Sequence, residues 1–224
     1  NPGRYAQTDE LVELAKSMRG TGAIYATHMR DEGVGLLESV GEAISIGKRA
    51  GVGVQISHHK ASGRESWGLV RRSLALIEAA QREGQDVHAD QYPYTAGSTS
   101  MQAILENGAF SGEGAMGSLS GSDVVIASAP GRPHWEGQSV AELAVTTAES
   151  EREAAEQVAR ESHGATVVLH MMSEDDVQAV LSHPSTMIGS DGIPTLDGRP
   201  HPRLYNSFAR VLGHYSRDIQ LFDL

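Results

Sequence analysis

The sequence predicts an α/β fold built from consecutive parallel βα units. Over the first hundred residues, amphipathic helical patterns alternate with short apolar runs, and the links between them are short. Two of the apolar runs end in histidine, then a charged residue, then glycine: "YATHMRDEG" at 25–33 and "VQISHHKASG" at 54–63. Because the carboxyl ends of parallel strands share one edge of a sheet, these histidines are expected to lie close together.

Periodicity and end signals place the elements of this first segment. Thr8 is in position to cap the first helix, Asp9 and Glu10 suit its first turn, and Gly20 ends it. Apolar residues three and four apart predict two more helices, and the apolar runs between them predict strands. The helices are predicted over 8–19, 36–47 and 69–80, and the strands over 23–27, 52–57 and 86–90. The proline and glycine of "QYPYTAGST" are expected to prevent regular structure after the third strand.

The middle of the chain looks like an insertion between barrel elements. Residues 101–165 contain the Gly- and Ser-rich stretch "ENGAFSGEGAMGSLSGSD" and the turn-forming "SAPGRPHWEG", followed by helices at about 139–148 and 151–162. We therefore divide a single catalytic domain into βα units over 1–100, an insertion over 101–165, and a final barrel segment over 166–224.

Regular structure is predicted again after the insertion. A strand is predicted over 166–170, and Ser173 with Asp176 three residues later occupies capping-box-like positions at the start of a helix. Pro184 marks the end of that helix, and a strand over 186–190 ends in "GSDG". A last helical pattern precedes the end of the chain. Neither end resembles a natural terminus, and we expect a piece of a longer protein, truncated at both ends.

Composition excludes several classes of protein. The chain has 224 residues, 39% hydrophobic and 21% charged, with a net charge of −11 and its 18 Lys and Arg scattered. These values suit a globular domain and argue against nucleic acid or an anionic membrane as a partner. No apolar run approaches the roughly 18–20 residues that a bilayer requires, and no signal peptide is recognisable. We expect a soluble, cytoplasmic protein.

Three predicted strands end in groups that bind metals or move protons: His28, His58 and Asp191. With no cysteine among these residues and ten histidines, imidazole is the expected nitrogen ligand. Imidazoles with a carboxylate at one barrel mouth suit a divalent metal such as zinc that activates water, the carboxylate taking the proton. Taken singly, each histidine also fits a structural role, and the "SDG" around Asp191 fits an ordinary Asx turn.

The motifs together resemble a known family. They occur in this order: "YATHMRDEG", "ISHHKASG", "DQYPYTAGSTS", "MIGSDG" and "HPRLYNSFARVLGHY". Over nearly the whole chain, and least over 101–165, the sequence is similar to the N-acyl-D-amino-acid deacylases (D-aminoacylases) of the metal-dependent amidohydrolase superfamily. The resemblance implies a TIM-type (β/α)8 barrel with a small β-sandwich, of which this chain would hold the second half, about strands 5–8, with an insertion.

The resemblance also implies roles for particular residues. His28 matches the metal ligand after the fifth strand, His58 the ligand after the sixth, and Asp191 the catalytic aspartate after the eighth. His59 is the less expected ligand of its pair. Lys60 matches a lysine near the substrate.

The family's reaction is hydrolysis of the amide bond of an N-acyl-D-amino acid, which gives a D-amino acid and a carboxylate. The substrate's own carboxylate requires cations and hydrogen-bond donors, and the candidates are Lys60, Tyr92, Ser98 and Arg203. Arg30 and Glu32 are placed to orient His28, although a local salt bridge explains them equally well.

Two features of the family are missing from this sequence. The family takes further ligands from an HxH pair on its first strand and from a cysteine, and this chain has neither. We expect both to precede Asn1 and to complete a site for one or two Zn²⁺ ions. Within the motifs, Asn206-Ser207 and Ala209 depart from the family's usual residues, which alters a loop more than its chemistry.

Two alternatives remain beside the deacylase. One is a cyclic amidase of the hydantoinase or dihydroorotase type, which bridges two metals with a carbamylated lysine. The other is an incomplete barrel fragment with a structural or binding role and no catalysis. A serine hydrolase is disfavoured, because no GxSxG motif is present.

Overall fold

Two β-sheets, each covered by helices, make up the structure. The computed structural model describes residues 5–110, 119–147, 149–195 and 197–223. Part of the Gly- and Ser-rich stretch, residues 111–118, lies outside this range, as does residue 148 at the end of a predicted helix. Among the described residues, no helix has the length and apolarity needed to span a bilayer. The cytoplasmic location stays a prediction.

The first sheet is parallel and contains the predicted strands. Its order is β1 (Ile24–Thr27), β2 (Gly53–Ile56), β3 (Val87–Gln91) and β7 (Thr186–Ile188), with every neighbouring pair parallel. The first three strands are consecutive in the chain, and β7 joins the edge after a long excursion. Short runs rich in valine, isoleucine and alanine suit strands of a parallel sheet covered by helices. The predictions of β1, β2, β3 and β7 are confirmed.

Helices precede and separate these strands along the chain, as the periodicity predicted. They are α1 (Thr8–Lys16), α2 (Leu36–Ala50), α3 (Leu69–Arg82) and α7 (Glu174–Leu181). The apolar faces of α2 and α3 pack against β2 and β3 in a core that includes Leu36, Val40, Ile56 and Ile77. Because the connections of parallel strands return all carboxyl ends to one edge, this packing brings the segments after β1, β2, β3 and β7 to the same side of the sheet.

The second sheet was not anticipated. It is antiparallel, in the order β4 (Ala96–Ser100), β6 (Thr166–His170) and β5 (Val124–Ser128). Its own core is packed against the helices α4 (Met101–Glu106), α5 (Val140–Thr147) and α6 (Glu151–Glu161). The predictions of α5 and α6 are confirmed within a residue or two.

Two expectations about this region are wrong. Regular structure does continue after β3, since residues 96–100 form a strand despite the preceding proline. The strand at 166–170 belongs to the antiparallel sheet and not to the parallel one, because its pairing partners are β4 and β5. The second sheet therefore begins at 96 and ends at 170, which is wider than the predicted insertion.

Two predicted caps also differ. Thr8 lies inside α1, whose N-cap is Gln7, and its hydroxyl donates to the Glu42 carboxylate at 2.6 Å. Ser173 is the N-cap of α7 but makes no side-chain cap bond, and the Asp176 carboxylate accepts from the backbone N–H of Gly68 at 2.8 Å and not from that of Ser173. The chain ends in α8 (Arg203–Arg210), which continues directly into π-helical turns over Val211–Asp218.

Candidate metal centre and active site

Two histidines from neighbouring strands meet at the carboxyl edge of the parallel sheet. His28 directly follows β1, and His58 lies just beyond β2. The Nδ1 atom of His28 is 2.7 Å from the Nε2 atom of His58, and the two rings meet edge to face with centroids 4.5 Å apart. Two imidazole nitrogens from residues thirty positions apart in the chain thus lie in contact.

The backbone of His58 is held in an unusual conformation. Its φ of 41° lies in the left-handed region, which costs energy for a residue with a side chain. Asp90, at the carboxyl end of β3, accepts the His58 backbone N–H at 2.8 Å and the Gln55 amide at 2.7 Å. These bonds stabilise the turn that directs the His58 ring across the sheet edge toward His28.

A buried ion pair lies behind His58. The Glu32 carboxylate is 2.8 Å from His58 Nδ1 and 2.6 Å from the Lys60 ammonium, and the side chains of Glu32 and Lys60 are each only 5% exposed. Lys60 also donates to the backbone carbonyl of His58 at 2.8 Å. The acid, the histidine and the lysine therefore form one connected network on two adjacent loops.

The electrostatics of this network follow from burial and pairing. Burial alone raises the pKa of Glu32, but the charge of Lys60 and the contact with His58 outweigh it and hold that pKa well below its ordinary value. Burial acts to lower the pKa of Lys60, and the adjacent Glu32 carboxylate reverses this and raises it. Burial lowers the pKa of His28. Glu32 and Lys60 are thus both charged at neutral pH, and His28 favours the neutral form that ligates metals.

The aspartate that follows β7 is paired with a buried arginine. Asp191, which follows β7, has a φ of 46°, and its carboxylate is 2.9 Å from the Arg203 guanidinium. Arg203 is buried, donates to the Ser98 carbonyl at 2.9 Å, and sits over the Tyr92 ring at 4.5 Å from its centroid. Burial raises the pKa of the Tyr92 phenol, so it remains a neutral donor.

One cavity of about 700 Å³ collects all the residues that the sequence singled out. The residues that line it include His28, His58, Lys60, Tyr92, Ser98, Asp191 and Arg203. The fold therefore places together side chains that are spread over most of the chain. Their individual roles stay predictions. His59 is turned away, because it is buried and its Nε2 faces the Ser73 hydroxyl at 2.9 Å.

The donor set fits a metal ion. Within the described ranges, His28, Glu32 and His58 form a group whose potential ligand atoms all lie within 4.8 Å of one another. Two imidazole nitrogens with a carboxylate nearby are the ligand types that zinc prefers. Asp191 is not part of this group, since its carboxylate is bonded to Arg203.

Two contributors to the site were missed or misassigned from the sequence. Glu32 was expected to orient His28, and it contacts His58 instead. Asp90 carried no prediction from the sequence, although its position at the end of a strand, like those of the two histidines, was a usable signal.

Comparisons with known proteins show what the chain is similar to. The chain is 41% identical over 225 residues to a D-aminoacylase of Alcaligenes xylosoxydans xylosoxydans, a match that covers 100% of this chain and 42% of that protein. It is similar in structure to an N-acyl-D-glutamate deacylase from Bordetella bronchiseptica complexed with zinc and a phosphonate mimic of the tetrahedral intermediate, with a TM-score of 0.86 and 34% identity. That match covers 100% of this chain and 44% of the other.

A further structural match concerns the metal itself. A D-aminoacylase structure that addresses the role of a binuclear metal centre matches with a TM-score of 0.83 and 39% identity, covering 100% of this chain and 44% of that one. No family model matches the chain. The chain spans about 42% of the length of the curated relative it matches.

Proposed function

We propose that this chain, which is related over its whole length to the N-acyl-D-amino-acid deacylases, carries metal-binding and catalytic residues of a zinc-dependent hydrolase acting on the amide bond of N-acyl-D-amino acids. The products are a D-amino acid and a carboxylate. The observation that carries the proposal is the meeting of the His28 and His58 imidazole nitrogens, 2.7 Å apart, in a cavity that also contains Asp191 and Arg203.

The parallel sheet is proposed to be part of a TIM-type barrel. The support is the parallel order β1–β2–β3–β7 with helices between the strands, which we assign to strands 5–8 of that barrel. The antiparallel sheet then lies between the seventh and eighth strands of that barrel. Convergence of the site on the carboxyl edge of the strands is the arrangement that such barrels use.

His28 and His58 are proposed to hold the zinc ion, and residues outside this chain to supply the remaining ligands for one or two ions. A bound zinc ion polarises the amide carbonyl and lowers the pKa of water toward neutrality. Two imidazoles fall short of the three protein ligands that a catalytic zinc usually has. The relatives with a bound zinc or a binuclear centre support zinc as the metal.

Asp191 is proposed to be the general base. Its side chain is 39% exposed and lines the cavity that holds the two histidines, so it can reach a water molecule there. It accepts the proton of the attacking water and then gives it to the nitrogen of the leaving amino acid. Transfer to that nitrogen is needed because an amide anion is too basic to leave.

Arg203, Lys60, Tyr92 and Ser98 are proposed to bind the carboxylate of the substrate. Arg203 offers a planar pair of donors that match a carboxylate, and its burial keeps that interaction out of bulk water. Lys60 adds a second positive charge, and Tyr92 lies between the two cations, with ring centroid distances of 4.5 Å to Arg203 and 5.8 Å to Lys60. The hydroxyls of Tyr92 and Ser98 add neutral donors.

The decisive experiment is a hydrolysis assay with paired enantiomers. The full protein is incubated with N-acetyl-D-leucine, N-acetyl-D-glutamate and their L forms, and free amine is measured before and after zinc removal by a chelator. We expect release from a D substrate only, loss of activity on chelation, and recovery on addition of zinc. Ring opening of dihydrouracil without hydrolysis of any linear substrate would instead support the cyclic amidase.

A further inference from the structure

Glu32 has a role that neither the motif resemblance nor the comparisons assign. We propose that it is a positioning residue that fixes which nitrogen of His58 is available to the metal. Glu32 also bonds to Lys60, and so connects the proposed metal ligand His58 to a residue of the proposed substrate-binding site. The inference rests on the proposed zinc site.

Glu32 and His28 occupy opposite sides of the His58 ring. The Glu32 carboxylate is 2.8 Å from Nδ1, while His28 Nδ1 is 2.7 Å from Nε2. An ion shared by the two histidines therefore lies on the Nε2 side, and Glu32 lies behind the ring. Although Glu32 belongs to the group of potential ligands, its Oε1 atom is already bonded to His58 and Lys60. It is placed to orient a ligand and not to serve as one.

The chemistry of the contact determines the tautomer. A carboxylate oxygen accepts a hydrogen bond, so the contact with Glu32 favours the neutral tautomer of His58 in which Nδ1 carries the proton and Nε2 presents its lone pair. Lys60 competes for the same nitrogen, because its ammonium is 2.9 Å from Nδ1. If Nδ1 accepted from Lys60, the proton would sit on Nε2 and block the ligand position. Lys60 already donates to Glu32 at 2.6 Å and to the His58 carbonyl at 2.8 Å, so two of its three N–H donors have acceptors other than Nδ1.

The loops that carry these residues are tied together at a second point. The backbone N–H of Ser62 donates to the backbone carbonyl of Glu32 at 2.7 Å. The segment after β1 is thereby fixed against the segment after β2, which carries His58 and Lys60. Because the pair is buried, the carboxylate has few alternative partners, and the network has one well-satisfied arrangement. This arrangement resembles the acid–histidine–metal relays whose outer partners tune metal affinity.

The test measures the His58 tautomer and zinc affinity in the full protein. Nitrogen-15 NMR of histidine-labelled, metal-free protein reports which ring nitrogen is protonated, and competition with a chelator gives the zinc Kd. The variants are Glu32→Gln and the double variant Glu32→Gln with Lys60→Met, which removes both buried charges so that folding is preserved. The control is Asp176→Asn, which changes another buried acid that is bonded to Gly68 and does not line the cavity.

We expect Nδ1–H on His58 in the parent and a mixed or reversed tautomer in both Glu32 variants. Zinc binding should weaken by roughly 10–100-fold in both variants, as for other outer-shell partners, and stay unchanged in the control. A proton on Nε2 in the metal-free parent, or parent-like tautomer and affinity in the double variant, overturns the inference. If instead the tautomer follows Glu32 but the parent neither binds zinc nor hydrolyses substrate, the proposed function fails and the positioning role stands.

Discussion

The guanidinium of Arg203 lies 2.9 Å from the carboxylate of Asp191, so the proposed base is paired with the proposed substrate-binding cation. The arginine side chain is 3% exposed and the aspartate side chain 39%, which makes the arginine the fixed member of the pair. A substrate carboxylate would compete with Asp191 for this guanidinium. The two residues should therefore affect different kinetic parameters, although they touch.

Arg203→Lys is expected to raise KM for an N-acyl-D-amino acid by roughly 10–100-fold, with a smaller change in kcat. Lysine keeps the charge and loses the paired donors, and a charge-assisted hydrogen bond contributes about 1.5–3 kcal/mol. Steady-state kinetics with a substrate and its carboxamide analogue measure the effect. The matched control is Arg210→Lys, on the same helix, where the guanidinium donates to the Pro93 carbonyl at 2.7 Å. An unchanged KM would remove Arg203 from substrate binding.

Asp191→Asn is expected to lower kcat by roughly 10²–10⁴-fold, because an amide cannot accept the proton of water. The variant should remain folded, since Asp191 is at the surface of the cavity and not in a core. Single-turnover hydrolysis separates this loss from slow product release. Asp197→Asn, an exposed acid in the following loop, serves as the control. A kcat within about tenfold of the parent would rule out general-base catalysis by Asp191.

Alanine substitutions at two glycines of α2 are expected to change stability in opposite directions. A Cβ at Gly47 would overlap the Val54 side chain, whereas a Cβ at Gly41 has nothing within 4 Å. Gly47→Ala should lower the free energy of unfolding by about 1–3 kcal/mol through overpacking. Gly41→Ala should raise it by about 0.5–1 kcal/mol through helix propensity. Urea denaturation of the two variants and the parent checks both signs, and equal effects would show that α2 does not pack closely on β2.

The folded protein is expected to lose stability on acidification through the protonation of His201. Burial, with the nearby charge of Arg203, lowers its pKa from 6.5 to about 4. Its Nδ1 accepts the Arg203 backbone N–H at 3.0 Å, a bond that requires that nitrogen to be unprotonated. The unfolded chain gains this proton near pH 6.5 and the folded chain only near pH 4. The contribution of His201 is therefore complete above pH 6.5 and is lost between these values.

The expected difference is on the order of 2 kcal/mol between pH 7 and pH 4.5. His201→Asn keeps an oxygen to accept the Arg203 N–H and has no titrating ring, so its unfolding free energy should fall less over this range. Denaturation of both proteins at the two pH values gives the comparison. Identical pH dependence in the parent and the variant would show that His201 is not buried in its neutral form.

The strands of the parallel sheet were predictable because helical periodicity flanks them, and because β1 and β2 are short and largely apolar. The histidines at two strand ends were predictable for the same reason, since parallel strands deliver their ends to one edge. β4 was not, because its sequence "AGSTS" is small and polar and gains its strand conformation from pairing with β6. The partner lies about seventy residues away, and nothing local to residues 96–100 indicates it.

The residues that line the site were predictable from the sequence, but the hydrogen bonds among them were not. The spacing of Glu32 from His28 suggested a partnership between them, but the carboxylate turns to His58 on the neighbouring loop. Glu32 contacts His58 because Lys60, buried on the same loop as His58, pairs with the Glu32 carboxylate, and this burial arises only when the loops fold together. The role of Asp90 depends on the left-handed backbone of His58, which is not encoded in a recognisable turn motif.

The central claim is that His28 and His58 share one metal ion. Zinc content and zinc Kd of the full protein should be compared with those of His28→Ala, His58→Ala and the control His88→Ala, whose ring is 46% exposed and bonded to Asp86. We predict that each of the first two variants loses bound zinc or binds it far more weakly, while the control matches the parent. Parent-like zinc content and affinity in both His28→Ala and His58→Ala would contradict the claim.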